Sequence, residues 1–201
     1  MSDSYKYIDF DYTYTDPKTG ILKNLQGITD PDVLLFVESG AVTKRLQELN
    51  NNPIKIKGIE NLFDIHKHLF QDIYVWAGKK RVVEISKDGK QFFPTTHFDN
   101  ASSYINSLIA DYKKIRKNRR KELAEKLAEI LDNVNYFHPF REGNGRAQRE
   151  FLRLLALEKG LILNLNPPDN KSVFERYMKG TIESDLEILK KLIFELIASK
   201  K

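Results

Sequence analysis

An all-α domain carrying one β-hairpin is the fold this sequence predicts, and three observations predict it. Apolar residues return every three or four positions through most of the chain, the period of a helix face. One stretch alone reads as strands. The chain has 201 residues, 41% hydrophobic and 30% charged, which fits one domain with a packed core. There is no cysteine, so disulfides and thiolate zinc sites are excluded. No apolar run approaches membrane-spanning length, and Met1–Lys6 contains no apolar signal region, so no membrane partner is expected. The net charge of +5 permits an acidic partner without naming one. Its basic residues crowd into 113–121, which reads as a solvated helix end and loop rather than a nucleic-acid patch.

Taken in order, the elements follow from local chemistry. Residues 1–28 are polar, rich in tyrosine and aspartate, and read as an irregular segment. Thr29 or Asp30 caps a helix that opens on Pro31 and runs to about Leu49, before Asn50-Asn51-Asn52-Pro53. A second helix starts near Ile59 and ends at Trp76-Ala77-Gly78, with Ile59, Leu62, Phe63, His66, Leu69, Phe70 and Ile73 on one stripe. His66 lies on that stripe and is expected as a hydrogen-bonded core residue; His68 points away and is expected at the surface. Val82–Ser86 and Gln91–Phe93, with Asp88-Gly89 between them, form the hairpin, a flap spanning about 82–94. A helix from about Asp99 buries Tyr104, Ile105, Leu108, Ile109, Tyr112 and Ile115. Another follows with Leu123, Leu127, Ile130, Leu131 and Val134. Two last helices cover about Ser172–Lys179 and Ile182–Ser199, after a loop at Asn166-Pro167-Pro168-Asp169. The whole chain, 1–201, is expected to be a single domain of six to eight helices.

The chemistry is concentrated in His138-Pro139-Phe140-Arg141-Glu142-Gly143-Asn144-Gly145-Arg146-Ala147-Gln148-Arg149. Pro139 breaks the chain between two helices. Gly143 and Gly145 let the backbone turn and approach a ligand. Phe151–Leu157 is apolar on almost every side, so the helix that follows is buried, and its N-terminus is an anion site by construction. Arg146 and Arg149, three apart, share a helix face and suit a polyphosphate. Glu142 suits a magnesium ion held together with substrate phosphates. The bland alternative is a helix end, a turn and a charged helix start with no chemistry.

These twelve residues fill every defined position of H-P-F-x-[D/E]-G-N-G-R-x-x-R, the signature of Fic-domain proteins, and the chain is identified as a member of that family by resemblance. Leu69–Gly78 is similar to the segment before the flap in Fic proteins, and Asp16–Asn24 resembles the Fic domains of Bartonella secreted effectors. The resemblance implies transfer of AMP from ATP to a Tyr, Thr or Ser hydroxyl of a target protein, with release of pyrophosphate. His138 is then the general base, Glu142 holds Mg2+ or Mn2+, and Gly143, Asn144, Gly145, Arg146 and Arg149 bind ATP. Gly145 stands where the related Doc kinase has lysine, which leaves room for the γ-phosphate. Ile85 in the flap is expected to clamp the acceptor, with Lys87, Asp88 and Lys90 choosing the partner by charge. Small GTPases are a first class of target. Glutamate precedes glycine or asparagine at Glu60 and Glu142, with Ile56 and His138 four residues before, so the family's inhibitory [S/T]-x-x-x-E-[G/N] pattern is absent. A separate small antitoxin presenting a glutamate to Arg149 is therefore expected. The setting expected is a bacterial cytosol, or a host cytosol for a piece of a secreted effector. Other readings stay open: transfer of another phosphate-linked group, a nucleotide- or protein-binding module without turnover, and a stand-alone protein against an excised domain.

Overall fold

A computed structural model of the chain describes residues 6–7, 12–87 and 89–199. Among them are seven α-helices, two small sheets and one 3-10 turn. Asp30 caps α1 (Pro31–Asn51), its Oδ1 accepting the N–H groups of Asp32 and Val33 at 2.9 Å each. The buried stripe of α1 is Leu34, Glu38, Val42 and Leu49, so it carries one carboxylate into the interior.

The second helix, α2 (Glu60–Phe70), stops well before the predicted Trp76–Gly78. The Phe70 carbonyl accepts both the Ile73 and Tyr74 N–H groups at 2.9 Å, closing a turn. Asp72 is drawn aside by Arg45 of α1 through bonds of 2.8 and 2.7 Å. Tertiary contacts thus end the helix where its periodicity would have continued.

The hairpin is shorter than expected: β2 (Ile85–Lys87) and β3 (Lys90–Gln91) pair as Ser86 with Gln91 and Lys87 with Lys90. Val83 and Glu84 leave the ladder because Arg81 binds both and Glu84 also bonds Thr95. Phe93 leaves it because its N–H turns to the Tyr136 carbonyl at 3.0 Å. The N-terminal segment, expected to be irregular, supplies β1 (Lys6–Tyr7) to the other edge of β2, giving the order β1-β2-β3. Asp88, expected to help choose the partner, lies outside the described residues.

Next come α3 (Phe98–Lys114), α4 (Arg120–Phe137) and α5 (Asn144–Glu158). On α3, Ile105, Leu108, Ile109 and Tyr112 are buried as expected, but Tyr104 is 52% exposed because it sits at the margin of the stripe. On α4, Leu123, Leu127, Ile130, Leu131 and Val134 are all buried. The α5 helix is enclosed on nearly every side, with Ala147, Phe151, Leu152, Leu155 and Ala156 fully buried. Each large side chain of that kind adds about 2 kcal/mol through burial, which anchors the helix that carries the motif.

The last helices, α6 (Lys171–Glu183) and α7 (Leu186–Leu196), join later than predicted. Gly180 lies inside α6, where a Cβ would come within 2.6 Å of Leu189 of α7, so its small size serves packing rather than a break. The break falls at Ser184, φ +52°, and Asp185 caps α7 by accepting the Ile188 N–H at 3.0 Å. Beyond α7, β5 (Ala198–Ser199) pairs with β4 (Leu161–Ile162). Among the described residues no helix is long and apolar enough to cross a membrane.

Candidate active site

The motif loop is held from several directions. After Phe137 the chain turns at His138, which takes left-handed backbone angles, φ +43° and ψ +58°. Pro139, without an N–H, cannot continue α4. The Phe140 ring is buried, stacked on His66 at 3.7 Å and edge-on to Phe63 at 5.2 Å. The side-chain amide of Asn144 closes the loop, its Oδ1 accepting the Phe140 N–H at 3.0 Å and its Nδ2 donating to the Phe140 carbonyl at 2.8 Å. That amide is therefore occupied, and of the phosphate-cradling groups expected at Asn144 only the backbone N–H remains.

His66 is the hydrogen-bonded core residue that its place on the stripe implies. Its Nδ1 accepts the Gly78 N–H and its Nε2–H donates to the Glu142 carbonyl, both at 2.9 Å. Burial pushes its pKa down to about 3, so it is a neutral strut under the loop. His68 is half-buried, with Nε2 3.2 Å from Glu48, and takes no part in the site. At Gly143, φ is +81°, and a Cβ there would lie 2.4 Å from the Phe70 ring.

The loop and the N-terminus of α5, which no side chain caps, open on a cavity of about 340 Å³. It is walled by the hairpin, by His138 and Glu142, by Gly143 and Gly145, and by α6. His138 Nδ1–H donates to the Asn135 carbonyl at 3.0 Å, which makes Nε2 the acceptor nitrogen. Burial, opposed by that hydrogen bond and helped by the charges of Arg81 and Lys87, pushes its pKa down to about 3. The imidazole is thus neutral at physiological pH, the form a base requires. Glu142 accepts the Gly143 N–H at 2.9 Å and stands 3.6 Å from Arg146. One carboxylate on the cavity wall fits a hard cation completed by phosphates and water. Among the described residues no group of three or more His, Asp and Glu side chains forms a separate cation site.

Arg146 and Arg149 both line the cavity, as their spacing implies, but lean to opposite walls. The Arg146 guanidinium lies 2.5 Å from Glu38 of α1 and 4.7 Å above the Phe70 ring. Glu38 also accepts the Tyr74 hydroxyl, whose pKa is raised by burial and by that carboxylate, so the phenol stays protonated. Arg149 lies 5.5 Å above both the Phe174 and Tyr177 rings. The two also face a second cavity of about 660 Å³ between α1, α5 and residues 161–166.

The hairpin departs from expectation. Ile85 is 3% exposed and does not line the cavity, so it is not placed to clamp an acceptor there. The apolar flap residue that reaches the motif histidine is Phe92, whose ring stacks on His138 at 3.7 Å. Lys87 and Lys90 line the cavity, and the Lys90 ammonium donates to the Ile182 carbonyl on α6 at 3.0 Å, so it also ties the flap to the opposite wall.

Sequence reasoning did not single out Phe92, Glu38, Tyr74, Arg81 or the α6 wall of Tyr177, Met178, Thr181 and Ile182. Glu38 did carry a signal, since a carboxylate on the stripe of Leu34 and Val42 breaks the apolar pattern of α1. The others look locally like ordinary aromatic, basic or amphipathic positions.

Comparison with known proteins shows the family and the fold. The model of the Fic/DOC family matches residues 56–156, from just before α2 to the last turn of α5. Protein adenylyltransferase VbhT of Bartonella schoenbuchensis is 39% identical over 156 residues, which span 77% of this chain and 33% of that protein. The chain thus matches about a third of the length of that relative. Probable protein adenylyltransferase Fic of Salmonella typhimurium is 30% identical over 167 residues, 82% of this chain and 80% of that one. The N-terminal Fic domain of a putative cell filamentation protein from Bartonella quintana, solved with bound ADP, shares the fold with a TM-score of 0.82 at 23% identity. That match covers 94% of this chain and 96% of the solved one.

Proposed function

This chain belongs to the Fic/DOC family, and from that premise we propose that it is a protein adenylyltransferase, moving AMP from ATP to a hydroxyl side chain of a target protein. The observation that carries the reading is the placement of a neutral His138, its acceptor nitrogen defined by Asn135, beside an uncapped helix N-terminus flanked by Glu142, Arg146 and Arg149. His138 Nε2 takes the proton of the acceptor hydroxyl as that oxygen bonds to the α-phosphorus. The bond from the α-phosphorus to the bridging oxygen breaks, and pyrophosphate leaves against Arg146 and Arg149. A base so placed contributes about 10²–10⁴ in rate, and fixed charges at the leaving phosphates supply much of the rest. Mg2+ or Mn2+, held by Glu142, would neutralise phosphate charge when bound. The backbone N–H groups of Gly143, Asn144 and Gly145 cradle the phosphates, and Gly145 leaves space at the outer one. The base of ATP lies toward Tyr177, Met178, Thr181 and Ile182.

The finer proposals concern partners and setting. The target lies along the flap, where Lys87 and Lys90 present positive charge beside the cavity; small GTPases are the class to screen first. A small antitoxin presents a glutamate to Arg149 through the second cavity, and breaking such a buried pair one-sidedly costs about 3–5 kcal/mol. Residues 1–201 act as one domain, in a bacterial cytosol or, as part of an effector, in a host cytosol.

Labelled ATP incubated with the chain and a lysate tests the reading. Wild type is expected to label protein, and His138→Ala to bind ATP with little change while labelling nothing. Labelling by His138→Ala at the wild-type rate would refute the base, and ATP binding with no labelling by wild type would favour a binding module.

A further inference from the structure

The Arg81 side chain is fully buried, and nothing in the reaction just described uses it. A guanidinium withdrawn from water is costly unless its donors are paired. Here they reach three separate segments. Nε donates to the His138 carbonyl at 2.9 Å, Nη1 to the Val83 carbonyl at 2.6 Å, and Nη2 to the Phe93 carbonyl at 2.6 Å. Nη1 also lies 3.2 Å from the Glu84 carboxylate, and the guanidinium sits 5.0 Å from the Phe98 ring centroid. The Arg81 N–H itself donates to the Pro139 carbonyl at 2.7 Å.

Val83 and Phe93 are the two sides of the flap stem, and His138 is the base. At φ +43° His138 holds a backbone conformation that a side-chain-bearing residue keeps only when its surroundings over-determine it. Two of the constraints on it, the Nε bond to its carbonyl and the Arg81 N–H bond to the next carbonyl, come from one residue. The imidazole is in turn covered by Phe92, the neighbour of Phe93. The base's backbone and its ring are therefore both fastened to the flap stem.

Resting on the adenylyltransferase reading, we propose that Arg81 is a positioning residue that ties His138 to the flap, so that docking of a target strand on the flap and alignment of the imidazole with the acceptor hydroxyl are one event. Arg81 does not line the cavity and touches no reacting atom. Only a planar fork serves three carbonyls lying in different directions; a lysine keeps the charge and loses the fork.

The test compares wild type with Arg81→Lys, Phe92→Ala and the double variant. The chain has four histidines, so the His138 imidazole can be followed by NMR and assigned by its loss in His138→Ala. In wild type it should stay neutral through mildly acidic pH, because burial and the facing Arg81 and Lys87 charges hold it down to about 3. In Arg81→Lys it should titrate markedly closer to the ordinary value of about 6.5, as the loosened ring meets water. ATP affinity should stay within about threefold by calorimetry while target labelling at saturating ATP falls on the order of 100-fold, the cost of a misaligned base. The double variant should label little worse than either single one, since both act on the same alignment.

An unmoved His138 titration in Arg81→Lys overturns the proposal, and so does a labelling loss matched by an equal loss of ATP affinity. If Arg81→Lys does not unfold cooperatively, Phe92→Ala decides: its His138 must titrate higher with ATP affinity kept, or the proposal fails. A wild-type chain that labels no protein refutes the adenylyltransferase reading instead, and the titration, which needs no turnover, still decides the place of Arg81.

Discussion

Gly143 and Gly145 stand two residues apart in one motif, yet the same substitution should do opposite things to them. Gly143 lies at φ +81°, and a Cβ added there would come within 2.4 and 2.5 Å of two Phe70 ring atoms. The left-handed backbone costs a residue with a Cβ about 1–2 kcal/mol. Phe70 is fully buried and stands under the Arg146 guanidinium, so it cannot step aside freely. Forcing it adds about 1–3 kcal/mol of overpacking. Gly143→Ala should therefore lose about 2–5 kcal/mol, which in a chain of this size lowers Tm by roughly 5–15 °C. Gly145 is helical, and its Cβ would meet only Arg149 Nη1, the far end of a flexible side chain, at 3.1 Å. Gly145→Ala should leave Tm unchanged or raise it, since alanine is favoured over glycine inside a helix by about 0.5–1 kcal/mol. It should nonetheless weaken ATP binding, because the new methyl group fills space beside the outer phosphates. Thermal unfolding and ATP calorimetry on both variants check this. A Gly143→Ala variant within about 2 °C of wild type would refute the packing argument; a Gly145→Ala variant that binds ATP as wild type does would refute the placement of the phosphates beside Gly145.

Three further outcomes are expected. Glu142→Ala should lower labelling and flatten its dependence on Mg2+, and labelling undiminished in excess chelator would remove the metal from Glu142. Burial holds both His66 and His138 down to about 3, below the ordinary 6.5, so the unfolded chain binds more protons in that interval. Stability is then complete above pH 6.5 and is lost as pH falls through the interval, by up to about 1.4 kcal/mol per pH unit for each histidine. Tm should drop between pH 7 and 5, less steeply in His138→Ala; a Tm that is flat over that range would contradict neutral burial. Lys87→Glu with Lys90→Glu should change which proteins are labelled, and an unchanged labelling pattern would place the target elsewhere than the flap.

Much of this molecule is legible along the chain. The apolar stripes of α4 and α5, the Asp30 cap and the Pro139 break are local events, each written in residues a few positions apart. The motif brings the base, the carboxylate and both arginines into twelve consecutive residues, so the side chains proposed for catalysis needed little help from the fold to meet. What misled was also local. Periodicity carried α2 on to Gly78, but Arg45, 27 residues away, binds Asp72 and the helix ends early; β-propensity began the flap at Val82, but Arg81 holds the Val83 carbonyl and the strand begins late, at Ile85.

The sequence by itself therefore determined the helical class, the family and the motif side chains, because repeat and adjacency are properties of a linear chain. Only the tertiary structure decided that Ile85 is buried away from the cavity while Phe92 covers His138, and that Glu38 holds Arg146. It also decided that Arg81, one basic residue after two exposed lysines, is the one buried between flap and loop. Hydrophobic spacing says which face of an element goes inside. Which side chain meets it there depends on packing between segments far apart in the chain, and a buried polar group declares its partner only when those segments have come together.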